Sequence, residues 1–117
     1  MVFAVSTLRL VDRFPRTVSG DVIARQLAKS ATSVAANYRS ACTARSRRDF
    51  IAKLAIVVEE ADESVCWLEL IARSGIVGAS ATDLTALRDE ASQLRAIFSR
   101  SLGTARANGR VVTGMTR

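Results

Sequence analysis

Arginine is the most concentrated chemistry in this chain. Arg39, Arg45, Arg47 and Arg48 crowd the segment NYRSACTARSRR, and Arg95, Arg100, Arg106 and Arg110 recur towards the C-terminal end. A guanidinium stays charged at any working pH and presents a planar fork of donors that matches phosphate and carboxylate oxygens. Grouped in this way, with Lys29 upstream, such side chains suit holding an acidic partner better than making or breaking bonds. The second concentration is acidic, Glu59-Glu60 and Asp62-Glu63. Paired carboxylates can serve as acid and base, or bridge two metals inside a helical bundle, but the di-metal design uses Glu-x-x-His. There is no histidine anywhere. That removes the commonest general base, a common zinc ligand and any Ser-His-Asp triad. The six glycines are scattered singly, so no phosphate-cradling loop is present. The expectation is a binding protein that is not an enzyme and needs no metal or cofactor.

The charge is unevenly laid out. Residues 16–53 carry eight basic and two acidic groups, residues 54–93 two basic and eight acidic, and residues 94–117 five arginines with no acid. The sum is +6, with a pI near 10.6. An acidic partner such as RNA or DNA is consistent with that balance. Pairing between neighbouring helices or subunits is consistent with it too, since charge runs on a surface are usually solvated. Two cysteines without a CxxC, Cys42 and Cys66, suggest small buried thiols in a reduced, cytoplasmic protein. No apolar run approaches the ~18 residues of a membrane span, so no membrane partner is expected.

The elements that must position these groups are helical. At 117 residues, 49% of them hydrophobic and only one a proline, the chain suits a single packed all-α domain. The first helix is expected over Val2–Phe14, with Leu8, Val11 and Phe14 on one side and Pro15 as the stop. The second is expected over Asp21–Ala41, capped by Ser19 or Asp21. Its apolar edge is Ile23, Leu27, Val34 and Tyr38, and Ala24, Ala28, Ala31 and Ala35 beside it allow a close neighbour. The third is expected over Arg47–Ser74, between a Ser46/Asp49 capping pair and Gly75 at the C′ position. Ile51, Leu54, Val58, Ala61, Val65, Leu68 and Ala72 give it a near-heptad core. After a turn over residues 75–81, with Ser80 or Thr82 as cap, the fourth carries Leu84, Leu87, Ala91, Leu94, Phe98, Ser101 and Ala105 as its seam. Short connections favour an antiparallel up-down four-helix bundle over residues 1–107, followed by a flexible tail over 108–117.

In that arrangement the corner between the second and third helices lies at the same end as the C-terminal part of the fourth. Lys29, Arg39, Arg45, Arg47, Arg48, Arg100, Arg106 and Arg110 are therefore candidate nucleic-acid-binding residues. With Tyr38 the one aromatic near the rim, recognition would address the phosphate backbone rather than base sequence. A second stripe runs along the third helix opposite its core, comprising Ile56, Glu59, Glu63, Trp67 and Leu70. A tryptophan there would lie against a chain terminus or, more favourably, anchor an oligomer interface.

The central segment QLAKSATSVAANYRSACTARSRRDFIAKLAIVVEEADESVCWLELI resembles the four-helix-bundle family of 23S rRNA intervening-sequence proteins. The shared pattern is Gln26-Leu27, Ser30-Ala31, Ser33-Val34, Asn37, Phe50, Leu54, and the stretch from Glu60-Ala61-Asp62-Glu63 to Trp67-Leu68-Glu69-Leu70, within a match of about residues 8 to 107. Where many members read Asn-Ile-Ala-Glu-Gly, this chain has Asn37-Tyr38-Arg39-Ser40-Ala41, so the corner loses an acid and gains a base. The resemblance implies a ring-like homo-oligomer, a pentamer. It also implies similarity to the accessory protein of diversity-generating retroelements, whose partners are nucleic acid and a reverse transcriptase. Two roles are expected from these readings. One is a basic oligomer binding RNA or DNA through phosphates, as an accessory factor. The other is a protein-interaction scaffold whose charges serve subunit and partner contacts.

Overall fold

Four helices make up the computed structural model, which describes residues 1–76 and 81–115, with side chains through Asn108. The first, α1, spans Val2–Val11 and buries Phe3, Ala4, Thr7 and Leu10. Thr7 can sit in this apolar face because its hydroxyl donates to the Phe3 carbonyl at 2.8 Å. Leu8, expected inside, is 41% exposed. The helix also stops short of Phe14. Arg13 and Phe14 bond back to Leu10 and Val11 in a tight turn that still delivers the Phe14 ring to the core.

The second helix, α2, spans Val18–Cys42 and is capped by Thr17 rather than by Ser19 or Asp21. Thr17 is extended, and its hydroxyl accepts from the Gly20 amide at 3.0 Å. The turn works because Gly20 has no side chain: a Cβ there would run into the Pro15 carbonyl oxygen. The third helix, α3, spans Arg47–Ser74, with the expected ends. The Ser46 hydroxyl accepts from the Asp49 amide at 3.0 Å, Asp49 pairs with Lys53, and Gly75 closes the helix at φ 67° in the left-handed region. The fourth, α4, runs over Ala81–Met115. Thr82 therefore lies within it, Ser80 lies outside the described residues, and the loss of pattern at Asn108 does not coincide with a helix end.

The heptad of α3 is half as expected. Leu54, Ala61 and Leu68 are buried, but their partners are Val57, Ser64 and Ile71; of the expected partners, Ile51, Val58 and Val65 flank the core and Ala72 is half-buried. The shift turns on Ser64, a polar residue at a fully buried position. Its hydroxyl lies 3.0 Å from the Ser30 hydroxyl on α2 and 3.0 Å from the Glu60 carbonyl, while Ser30 donates to the Leu27 carbonyl at 3.1 Å. Two small side chains meeting in this way bring α2 and α3 close together. One level along, the Asn37 amide donates to Glu60 Oε1 at 2.6 Å, so two polar contacts fix the register of the pair.

The result is an antiparallel all-α bundle, 59 Å long and 21 by 20 Å across. One flank of α3 packs on α2 and the other on α4, while α1 bridges α2 and α4 on the opposite side. Leu27, Leu54, Leu68 and Ile71 are fully buried, each contributing about 1.5–3 kcal/mol of apolar burial. At 10 residues, α1 is about 15 Å long, against about 38 Å for the 25 residues of α2. It begins beside Tyr38 and Phe98, whose rings, 5.1 Å apart, link α2 to α4.

Candidate functional site

The core seam opens to solvent at that end. In α3 the buried series Leu54-Ala61-Leu68 extends by one heptad to Arg47, and Val57-Ser64-Ile71 extends to Phe50. In α4, Leu87-Leu94 extends to Ser101 and Asn108, and Ala91-Phe98 to Ala105. Core-phase positions thus carry arginine, serine and asparagine, and they line a groove of about 780 Å³ with Ala41, Cys42, Ala44, Arg45, Ser46, Ile97, Arg100 and Thr104. Its floor is small or apolar and its rim is cationic. Ser101, expected in the seam, is exposed here, and the next residue, Leu102, takes the buried place.

Three of the expected basic residues, Arg45, Arg47 and Arg100, come together at this groove. None makes an ion pair among the described residues, whereas Arg13, Lys53, Arg73 and Arg95 are paired with Asp83, Asp49, Glu69 and Asp62. Arg47 and Arg48 also occupy the first turn of α3, at the positive end of the helix dipole. A cation there is unfavourable by about 0.3–1 kcal/mol, and a bound anion would offset that cost. Arg39 in the last turn of α2, Arg48 and Arg106 are exposed near the groove's end of the bundle without lining it. Lys29 lies about 20 Å back along α2 and does not belong to this rim. The Arg110 side chain lies outside the described residues.

Both cysteines are exposed, against the expectation of buried thiols. Cys42 falls in the last turn of α2, where the helix is already running into the open groove, and it lines that groove. Beside it the Tyr38 phenol is raised above its ordinary 10.0, first by the Cys42 thiol and then by burial.

The stripe on α3 divides. Ile56 and Leu70 are 46% and 44% exposed, and Glu59 and Glu63 are exposed without an ion pair among the described residues. Trp67 leans inwards against the core cluster that includes Leu27, Leu68 and Ile71, with its indole N–H buried and unpartnered among the described residues. The acids do not converge. Glu60 is bonded to Asn37, Asp62 is paired with Arg95, and no group of three metal-ligating side chains occurs among the described residues. Nor is any described helix long and apolar enough to cross a membrane.

Phe50, Ile97, Ser101, Thr104 and Asn108 were not among the expected site residues. Extending the α3 and α4 heptads to their ends would have found Phe50, Ser101 and Asn108. That these positions meet Arg45 and Arg100 in one groove is a tertiary fact.

An all-α bundle with a cationic groove at one end is the class that fold and site define. The chain belongs to the 23S rRNA-intervening sequence proteins, whose family model matches residues 1–100. A crystal structure of a protein of unknown function from the S23 ribosomal protein family of Bacteroides thetaiotaomicron is similar, with a TM-score of 0.76 and 30% identity over 86% of this chain and 92% of that one. No curated protein matches the chain.

Proposed function

We propose that this protein is a non-enzymatic binder of nucleic acid, RNA or DNA, acting through phosphate contacts at the groove of Arg45, Arg47 and Arg100. The observation that carries this reading is that these three arginines line one groove without an ion pair among the described residues, whereas Arg13, Lys53, Arg73 and Arg95 are each paired with a carboxylate. Arg39, Arg48 and Arg106 add long-range attraction around the same end, which raises encounter rates more than it fixes geometry. Phosphate binding of this kind releases counterions and weakens steeply with salt. The test is fluorescence anisotropy with labelled RNA and DNA at low and moderate salt. Replacing Arg45, Arg47 and Arg100 by Gln together weakens binding severely, whereas Arg13→Gln and Arg95→Gln, at paired positions, retain it. Binding indifferent to the groove arginines would refute the reading.

A second reading concerns assembly. Ile56 and Leu70 leave apolar area in water, flanked by the unpaired acids Glu59 and Glu63. That pattern supports a homo-oligomer, with this acidic stripe against a basic surface of a neighbouring copy, and a protein scaffold as its function if nucleic acid does not bind. On this reading Ile56→Asp with Leu70→Asp yields a monomer in light scattering. An intact oligomer would count against the stripe as the interface, and a wild-type monomer against assembly altogether.

A further inference from the structure

The face of α4 turned away from the core carries a pattern that the core does not use. Asp89, Ser92, Ala96, Ser99, Gly103 and Arg106 follow one another at spacings of three, four, three, four and three, and all six are exposed. They form a second heptad stripe on this helix, on the side away from Leu87, Ala91 and Phe98. The two ends of the stripe carry opposite charges. Neither Asp89 nor Arg106 makes an ion pair among the described residues, although Arg13, Lys53, Arg73 and Arg95 each find a carboxylate. Between those ends the side chains are small. Gly103 stands inside the helix, where glycine is less favourable than alanine. Nothing described in the chain calls for it there, since a Cβ at that position would meet no atom within 4 Å. A closely packed partner would account for both the glycine and the unpaired charges.

We infer that this face pairs with the same face of a second copy of the chain, the two α4 helices running antiparallel about a two-fold axis between Ala96 and Ser99. That centre lies as far along the helix from Asp89 as from Arg106, and as far from Ser92 as from Gly103. Asp89 of each copy therefore meets Arg106 of the other, at both ends of the contact, and two Ser92–Gly103 layers and two Ala96–Ser99 layers lie between them. Parallel pairing would set Asp89 against Asp89 and Arg106 against Arg106, so charge selects the antiparallel direction and fixes its register. The small side chains let the helix axes come to the near end of the usual range of about 8–10 Å. None of the six residues lines the groove of Arg45, Arg47 and Arg100, so the pair leaves both grooves open. A single helix pair is a small interface, and its dissociation constant belongs in the range of about 1–100 μM.

The experiment is sedimentation equilibrium of the whole chain over a concentration series reaching about 300 μM, with charge reversals at the two ends of the stripe. Asp89→Arg alone, or Arg106→Asp alone, sets like charges against each other twice and raises the dissociation constant about tenfold or more. The double variant Asp89→Arg with Arg106→Asp restores opposite charges across the two-fold axis and returns the constant to within about threefold of the wild type. Gly103→Leu supplies a better helix former at an exposed position, so circular dichroism shows full helicity, while the bulk in the seam leaves the protein monomeric. A wild type that stays monomeric throughout the series would overturn the inference. So would a dimer indifferent to the single reversals, or a double variant weaker than either single one. Ile56→Asp with Leu70→Asp separates this face from the stripe on α3: a dimer that survives those changes supports the α4 pairing. A dimer lost in them but intact in Gly103→Leu would overturn it in favour of α3.

Discussion

Removing either member of the Ser30–Ser64 pair should cost little, and removing both should cost scarcely more than removing one. Both residues are at most 3% exposed, and their hydroxyl oxygens lie 3.0 Å apart between α2 and α3. Each hydroxyl has one proton, and each has a carbonyl of its own helix in reach, Leu27 for Ser30 and Glu60 for Ser64. With Ser64→Ala, Ser30 still donates to Leu27; with Ser30→Ala, Ser64 still donates to Glu60. Neither change leaves an orphaned donor, which is the costly outcome at about 1–3 kcal/mol. What disappears is one inter-helix hydrogen bond, worth about 1 kcal/mol net, partly offset because the remaining methyl group suits an apolar interior better. Each single variant should therefore lose about 0.5–1 kcal/mol. The double variant should fall short of the sum of the two by a coupling of about 0.5–1 kcal/mol, the signature of a shared contact. Urea denaturation of the wild type and the three variants, at one protein concentration, measures all four corners of the cycle. Additive losses, or a loss beyond about 2.5 kcal/mol for Ser64→Ala, would mean that the hydroxyls are coupled to something other than each other. Ser64→Val makes the contrast, since an added methyl between closely approaching helices costs about 1–3 kcal/mol through overpacking.

Other outcomes follow from the same geometry. Gly20→Ala, a change that stabilises many helix interiors, should here lower stability by about 1–3 kcal/mol in thermal unfolding, because the new Cβ meets the Pro15 carbonyl oxygen. Tyr38 is the only tyrosine, so phenolate absorbance reports it alone. Its midpoint should lie above 10.0 and move down in Cys42→Ala. A phenol whose pKa is raised on folding adds stability below pH 10.0, and that contribution is lost as pH rises through the folded-state value. Alkaline unfolding should therefore sharpen above pH 10.0, and less so in Cys42→Ala.

Much of the fold is legible in the sequence because its signals are local. Ser46, Asp49 and Gly75 fix both ends of α3 through hydrogen bonds that span at most a turn. Leu84, Leu87, Ala91, Leu94 and Phe98 announce the α4 seam by spacing alone. The misjudged positions are those where a polar residue does an apolar residue's work. Thr7 and Ser64 are buried because carbonyls of their own helices take their protons, which a hydrophobic pattern does not register. Thr17 rather than Ser19 caps α2, because the close approach of Gly20 to Pro15 sets where the helix can begin. At the candidate site, the convergence of Arg45 and Arg47 with Arg100 follows from up-down connectivity and so could be anticipated. The groove itself could not. Its lining draws on α2, α3, α4 and the corner between α2 and α3, and those residues come together only once the helices are packed.

The most direct test of the claim that the groove arginines hold phosphates is the salt dependence of binding to a labelled single strand. Each phosphate neutralised contributes a slope of about −0.7 in log K against log salt concentration, so three arginines give a slope of about −2. The wild type should show that slope. The variant with Arg45, Arg47 and Arg100 all replaced by Gln should bind weakly, with a clearly shallower slope. An unchanged slope in the variant, or no binding by the wild type at low salt, would contradict the account.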